Sequence, residues 1–136
     1  MAAKKILDLS GTWELSWLEG ERGPAKRPGI MARAEAQPRQ RFAARVPGEV
    51  HLDLVAAGVI GDPMVGTNCL AARWVEEAVW VYRREIEAPA LASGERAFLR
   101  FERLELAAVV RLNGVEVGRH ADAFLPACFE VTERLV

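Results

Sequence analysis

The acidic and metal-binding side chains of this 136-residue sequence do not fall into a pattern that performs chemistry. Glu76 and Glu77 are adjacent, and adjacent residues of an extended chain point to opposite faces. We therefore interpret them as surface charges and not as a paired general acid and base. The two histidines, His51 and His120, lack the spacing of metal ligands. The sequence predicts neither a catalytic pair nor a metal site, and it predicts no cofactor.

The two cysteines, Cys69 and Cys128, lie far apart and neither belongs to a CxxC pair. This arrangement leaves a disulfide open but favours two free thiols, buried or half-buried.

Composition narrows the class of protein. The net charge is −1 and 27% of the residues are charged, with no basic cluster interleaved with aromatics, which excludes a nucleic-acid partner. No stretch is long and apolar enough for a membrane span, and residues 6–18 alternate where a signal peptide would be continuously apolar. We expect a cytoplasmic chain with no membrane partner and one domain over residues 1–136.

The first predicted strand lies near the N-terminus. Trp13, Leu15 and Trp17 alternate with polar residues, which is the period of a strand with one buried face. Residues 18–41 then contain repeated glycines and prolines, so they are predicted to be a loop within the domain.

A short helix is predicted near Val50–Ala57. Val50, Leu54 and Ala57 recur at i, i+4 and i+7, and Gly58 stands where a helix is often terminated. Residues 60–72 hold several further turn residues and are predicted to be an irregular loop.

Strands dominate the remainder. Trp80, Tyr82 and Ile86 are predicted to share one face of a strand, and Asn113-Gly114 is a strong hairpin signal. Alternating apolar residues mark further strands near Leu99–Phe101, Ala108–Leu112, Val115–Val117 and Phe129–Val131.

One short helix with six or seven strands predicts an all-β fold of the β-sandwich class. A jelly roll usually has about eight strands. Since the last predicted strand lies almost at the C-terminus, we expect the sandwich to be incomplete there. An open sheet edge would then make the chain prone to self-association.

Five motifs occur in order along the chain. The segment Val46–Tyr82 reads VPGEVHLDLVAAGVIGDPMVGTNCLAARWVEEAVWVY. It contains a VPG-x-VH-x-x-L helix start, a DP-x-x-G-x-N loop and a W-x-x-x-x-x-W-x-Y strand. An F-x-x-L…A-x-V-x-LNG hairpin follows in Phe101–Gly114, and Phe124–Thr132 ends in F-x-V-T. From about Leu9 to Val136 the sequence resembles the N-terminal domain of β-mannosidases in glycoside hydrolase family 2.

The resemblance implies a galactose-binding-like jelly roll that binds sugar or supports the active site of an enzyme acting on terminal β-D-mannose residues. It implies a β-mannoside as partner of the full-length enzyme. The two catalytic glutamates of the family lie on a later barrel domain, so this chain alone is expected to be inactive. Val79, Ala121 and Glu130 depart from the family pattern, which leaves the exact sugar open.

The resemblance also directs attention to sugar contacts, for which Trp74, Asn68 and Asp122 are the candidates. Trp74 could stack on the apolar face of a pyranose or could lie in a core, and the sequence does not decide between them. Asn68 could bind a hydroxyl or cap the loop, and Asp122 could contact substrate or cap a turn; in both cases the local role is favoured. Trp80 is expected in the core, His51 is expected to pack and bond nearby backbone, and His120 is expected to be exposed.

Two alternatives stay open. The first is another specificity within the same family, such as β-galactosidase, β-glucuronidase or exo-glucosaminidase. The second is a free-standing carbohydrate-binding module. The sequence that follows this segment in the gene would separate them, since an enzyme requires a barrel with two glutamates.

Overall fold

The structure, a computed structural model, describes residues 4–18 and 40–135. It divides into two compact units, Met1–Glu85 and Ile86–Val136. The loop predicted for residues 18–41 falls almost wholly outside the described residues.

A three-stranded antiparallel sheet organises the first unit. Its strands are β1 (Gly11–Leu18), β2 (Arg41–Val46) and β3 (Val79–Arg83), in the order β2-β1-β3. Leu15 at the centre of β1 lies opposite Phe42 on β2 and Tyr82 on β3, and it is fully buried. The alternation around Leu15 therefore predicts the strand β1 correctly, but Ser16 and Leu18 on its opposite face are buried as well, so the expectation of one buried face is wrong. Strand β2 was not predicted.

Helix α1 (Val50–Ala56) begins where the sequence places it. The Glu49 carboxylate accepts hydrogen bonds from the backbone N–H groups of His51 and Leu52, so an acidic side chain caps the first turn. Gly58, with φ +71°, follows the helix end in the left-handed conformation that glycine adopts without strain. The predicted helix is confirmed to within one residue.

The predicted irregular loop and the segment after it contain two more helical turns. These are α2 (Asn68–Ala71) and a 3₁₀ helix (Arg73–Glu77). Glu76 and Glu77 thus lie on a 3₁₀ turn, and the extended conformation assumed for them is wrong. The expectation of a single helix is corrected in the same way. The 3₁₀ turn buries Val75, whereas α2 buries none of its residues.

The core of the first unit lies between the sheet and these helical turns. Leu54, Ala72 and Val75 form a buried cluster. Half-buried apolar residues pack against it: Phe42, Val50, Val59, Ile60, Trp74 and Trp80. Trp80 is in the core as expected, but β3 ends at Arg83, so Ile86 does not share its face as predicted.

The second unit contains two antiparallel strand pairs. Strands β4 (Phe98–Phe101) and β7 (Ala127–Glu130) form one, and β5 (Ala108–Leu112) and β6 (Val115–His120) form the other. Asn113 and Gly114 connect β5 to β6 with φ values of +50° and +78°, as a type I′ turn requires. This confirms the predicted hairpin. A short 3₁₀ turn, Thr132–Arg134, follows β7.

A glycine brings the two strand pairs of the second unit into contact. A Cβ placed on Gly118 of β6 would lie 2.1 Å from Cε1 of Phe129 on β7, so the Phe129 ring occupies the space above this glycine. Val110, Ala127 and Val131 are buried in the same unit. Among residues 4–18 and 40–135, no helix is long and apolar enough to cross a membrane.

Candidate functional site

Trp74 lies within a cluster of aromatic rings on the first unit. Its ring centroid is 5.6 Å from that of Trp17 and 5.9 Å from that of Trp80, and Trp17 also contacts Phe42 at 5.8 Å. The planes are inclined by 43–53°, an arrangement that aromatic pairs favour. Because Val75 is buried beside it on the same 3₁₀ turn, Trp74 is held half-buried against the sheet.

Trp80 is fixed from both sides. It lies opposite Trp17 in the pairing of β3 with β1, and its indole N–H donates to the Val75 carbonyl oxygen at 2.9 Å. The polar edge of the ring is thereby satisfied within the unit, which suits a core residue.

Asn68 ties the DP-x-x-G-x-N loop together. Its side-chain N–H₂ donates to the Asp62 carbonyl oxygen at 3.0 Å, and a Cβ on Gly61 would lie 2.7 Å from that nitrogen. Asp62 in turn accepts from the Met64 N–H at 2.9 Å. The amide of Asn68 therefore closes a compact loop, and a side chain at Gly61 would force this amide to shift.

Asp122 shapes a turn in the second unit. Its Oδ1 accepts hydrogen bonds from the backbone N–H groups of Phe124 at 2.6 Å and Leu125 at 2.9 Å. These two bonds hold the pKa of the carboxyl below its ordinary value. The turn leaves Phe124 89% exposed. The ring of His120 contacts the Asp122 carbonyl oxygen at 2.6 Å. His120 is half-buried, so the expectation that it is exposed is wrong.

Trp74 and Asn68 belong to the first unit and Asp122 to the second, and each has a local structural role. His51 also differs from expectation, because its ring contacts the Glu49 carboxylate at the surface and not nearby backbone. Cys69 and Cys128 are free and both are exposed, so their predicted burial is wrong. In the part of the chain that the structure describes, no three acidic, cysteine or histidine side chains form a cluster that could hold a metal ion.

Sequence reasoning did not single out the surroundings of Tyr82. Burial raises the pKa of the Tyr82 phenol to about 12, and the negative charges of Asp53 and Glu49 add to the shift. The phenol on β3 therefore lies within electrostatic reach of the carboxylates of Asp53 on α1 and of its capping residue Glu49. The VPG-x-VH-x-x-L motif contains Glu49 and Asp53, but only the fold shows that they approach Tyr82.

Comparison with known proteins places the chain in a family. The profile of the family described as "Glycosyl hydrolase 2 galactose-binding domain-like" matches residues 31–136. Among curated relatives, beta-mannosidase B of Thermothelomyces thermophilus is 34% identical over 99% of this chain and 14% of its own length. Beta-mannosidase B of Emericella nidulans is 39% identical over 66% of the chain and 11% of its own length.

A solved structure agrees with these relatives. The crystal structure of a β-D-mannosidase from Dictyoglomus thermophilum superposes with a TM-score of 0.76 at 30% identity, over 98% of this chain and 14% of that one. The chain thus spans about one seventh of the length of the first two full-chain matches. The predicted fold class, an all-β galactose-binding-like β-sandwich, is confirmed, and the chain belongs to the galactose-binding-like domains of glycoside hydrolase family 2.

Proposed function

We propose that this chain is an N-terminal scaffold domain of a β-mannosidase-like enzyme that hydrolyses terminal β-D-mannose residues. The observation that supports this most strongly is the agreement of two full-chain matches, one by sequence and one by structure. One relative by sequence and one by structure are both named β-mannosidases, and each aligns over 98–99% of the chain. Residues 1–136 would form one domain of such an enzyme.

The chemistry of hydrolysis belongs to parts of the enzyme beyond this segment. A retaining glycosidase needs two carboxyl groups about 5–5.5 Å apart, one as nucleophile and one as acid/base. The family motifs place no residue of this chain at either position. Glu76 and Glu77 are neighbours on a 3₁₀ turn, and they carry no arrangement that would serve as such a pair.

The domain would contribute a rigid frame and one polar contact. The ring cluster holds Trp74 in position, and the hydrogen-bonded loop holds Asn68 in position. Both would support a surface that faces the sugar. Asp122 is the residue we propose for direct contact with substrate. An aspartate carboxylate is ionised at neutral pH, and an ionised carboxylate is a strong acceptor for a sugar hydroxyl.

The test uses the whole enzyme that contains this segment, with aryl β-mannoside, β-galactoside, β-glucuronide and β-glucosaminide as substrates. We expect the mannoside to have the highest kcat/KM. The 136-residue chain alone should release no nitrophenol above the buffer blank. Preference for another glycoside would replace the mannosidase assignment by another specificity of the family, which the departures at Val79 and Ala121 keep open.

The role of Asp122 is tested by Asp122→Asn in the same enzyme. Loss of one charge-assisted hydrogen bond should lower kcat/KM about tenfold or more. Asp62→Asn is a matched control, because Asp62 caps a comparable turn through the Met64 N–H. Equal effects of the two variants would assign Asp122 to the turn alone.

A further inference from the structure

His120 is the last residue of β6, and Asp122 follows it by two positions in the chain. The Nε2 atom of His120 lies 2.6 Å from the Asp122 carbonyl oxygen. A carbonyl oxygen can only accept a hydrogen bond, so Nε2 must carry a proton and donate it. This hydrogen bond therefore ties the backbone of Asp122 to the end of the strand.

The strand that carries His120 is held on two sides. His120 lies opposite Ala108 in the pairing of β6 with β5, and the Phe129 ring of β7 occupies the space above Gly118, two residues before His120. The His120 side chain is half-buried. The imidazole is thus attached to a fixed strand and not to a loop, which suits a residue that holds another in place.

The Asp122 carboxylate is held by the turn itself. Its Oδ1 accepts from the backbone N–H groups of Phe124 and Leu125, whereas no hydrogen bond from the residues that the structure describes reaches Oδ2. After these two bonds, the His120 ring also lowers the pKa of the Asp122 carboxyl, so the ring and the carboxylate lie within electrostatic reach. One carboxylate oxygen is therefore engaged by the turn, and the other is available to a ligand.

We propose that His120 is the positioning residue for the substrate contact of Asp122. Its Nε2–H bond to the Asp122 carbonyl oxygen holds the turn in the conformation that engages Oδ1 and leaves Oδ2 free to accept a sugar hydroxyl. His120 itself touches no substrate. The inference rests on the function proposed for Asp122, because without that contact there is nothing for His120 to position.

The test compares His120→Leu with His120→Gln in the whole enzyme that contains this segment, with an aryl β-mannoside as substrate. Glutamine can place an amide N–H near the position of Nε2–H, whereas leucine has no donor. We expect His120→Leu to raise KM about fivefold with kcat changed less than about twofold, because a binding contact is weakened in the ground state and the transition state alike. His120→Gln should bring KM back to within about twofold of the unmodified enzyme.

A role in folding alone would give a different pair of constants. Loss of folded enzyme lowers the measured kcat and leaves KM unchanged, because fewer molecules turn over with the same affinity. His51→Leu is the matched control, since the His51 ring contacts the Glu49 carboxylate on the first unit, and it should change neither constant. An unchanged KM in His120→Leu, or a KM raised equally in His120→Leu and His120→Gln, would overturn the proposal.

Asp122→Asn separates this inference from the function on which it rests. If Asp122→Asn raises KM and His120→Leu does not, the role of His120 alone is wrong. If Asp122→Asn has no larger effect than Asp62→Asn, the substrate contact is wrong and the role of His120 is wrong with it. The double variant of His120→Leu and Asp122→Asn should have the KM of Asp122→Asn alone, since both residues act through one contact, and additive effects would contradict this.

The imidazole nitrogen signals of the 136-residue chain in NMR spectra at about pH 9 give a readout that needs no substrate. They report which ring nitrogen carries the proton, and the hydrogen bond to the Asp122 carbonyl oxygen requires Nε2. A proton on Nδ1 of His120 would show that this bond does not form and would overturn the proposal.

Discussion

Trp17 and Trp74 pack ring against ring, with their centroids 5.6 Å apart and their planes inclined by 45°. Trp17 lies on the central strand of the first sheet and Trp74 on the 3₁₀ turn that precedes β3. Their contact fastens that turn to the sheet, and Trp80 completes the group from β3. Trp74 therefore stabilises the packing of the 3₁₀ turn against the sheet.

Trp74→Ala should destabilise the chain by about 3 kcal/mol, since removing a large aromatic ring from a packed cluster loses both transfer free energy and contacts. Urea unfolding followed by circular dichroism measures the change. Leu70→Ala is the control, because Leu70 is 64% exposed and should cost less than about 0.5 kcal/mol. An equally small effect at both positions would place Trp74 at the surface and restore it as a candidate for stacking on sugar.

Gly118→Ala should destabilise the second unit, because the new methyl group would meet the Phe129 ring 2.1 Å away. Overpacking of this kind costs about 1–3 kcal/mol. Phe129→Leu in the same chain should recover part of the loss, so the double mutant should be less destabilised than the sum of the single variants. Strict additivity would mean that the two residues are not in contact.

The ion pair of Arg96 and Glu130 should make stability depend on pH in the acidic range. The Arg96 side chain donates a hydrogen bond to the Glu130 carboxylate. This bond is the main reason that the pKa of this exposed carboxyl falls from 4.5 to about 2. Because the pKa of Glu130 is lower in the folded state than in the unfolded state, the ion pair stabilises the fold at pH values above the unfolded-state pKa. This stabilisation is lost as the pH falls through the folded-state pKa. We expect the difference in Tm between the chain and Glu130→Gln to be largest above pH 4.5 and to vanish near pH 2.

Arg96→Gln is the companion variant for this pH series. Because it removes the donor from the same pair, its Tm difference should narrow over the same interval. A difference that stays constant from neutral pH to pH 2 in either variant would contradict the role given to the pair.

The second unit should promote association between chains. Each of its sheets contains two strands within residues 40–135, and a two-stranded sheet is marginal in water while its unpaired edges can accept another strand. Phe98 on β4 is 52% exposed. We expect sedimentation of the 136-residue chain to show dimers or larger species that increase with concentration, and a Tm that rises with concentration.

Phe98→Lys should weaken this association by placing a charge on the strand. Phe124→Lys, in the exposed turn and outside any strand, should leave it unchanged. A chain that is monomeric at every concentration, with a high and constant Tm, would show that the second unit closes its core without a partner.

The sequence by itself determined the elements whose signal is local. The alternation of Trp13, Leu15 and Trp17 specifies β1, because a strand exposes its two faces in turn. Asn113-Gly114 specifies the hairpin, because both residues tolerate positive φ. The ordered motifs of Val46–Tyr82 predicted the family, and the comparisons confirm it.

Only the tertiary structure decided the features that depend on partners distant in the sequence. Strand β2, RFAARV, has a weak pattern of its own and forms because Phe42 and Ala44 lie opposite Leu15 and Trp13. The ring neighbours of Trp74 and the hydrogen bond from the Arg45 N–H to the Asp53 carboxylate emerge in the same way. Packing and hydrogen-bond satisfaction are properties of residues brought together by the fold, and spacing along the chain does not encode which groups will meet.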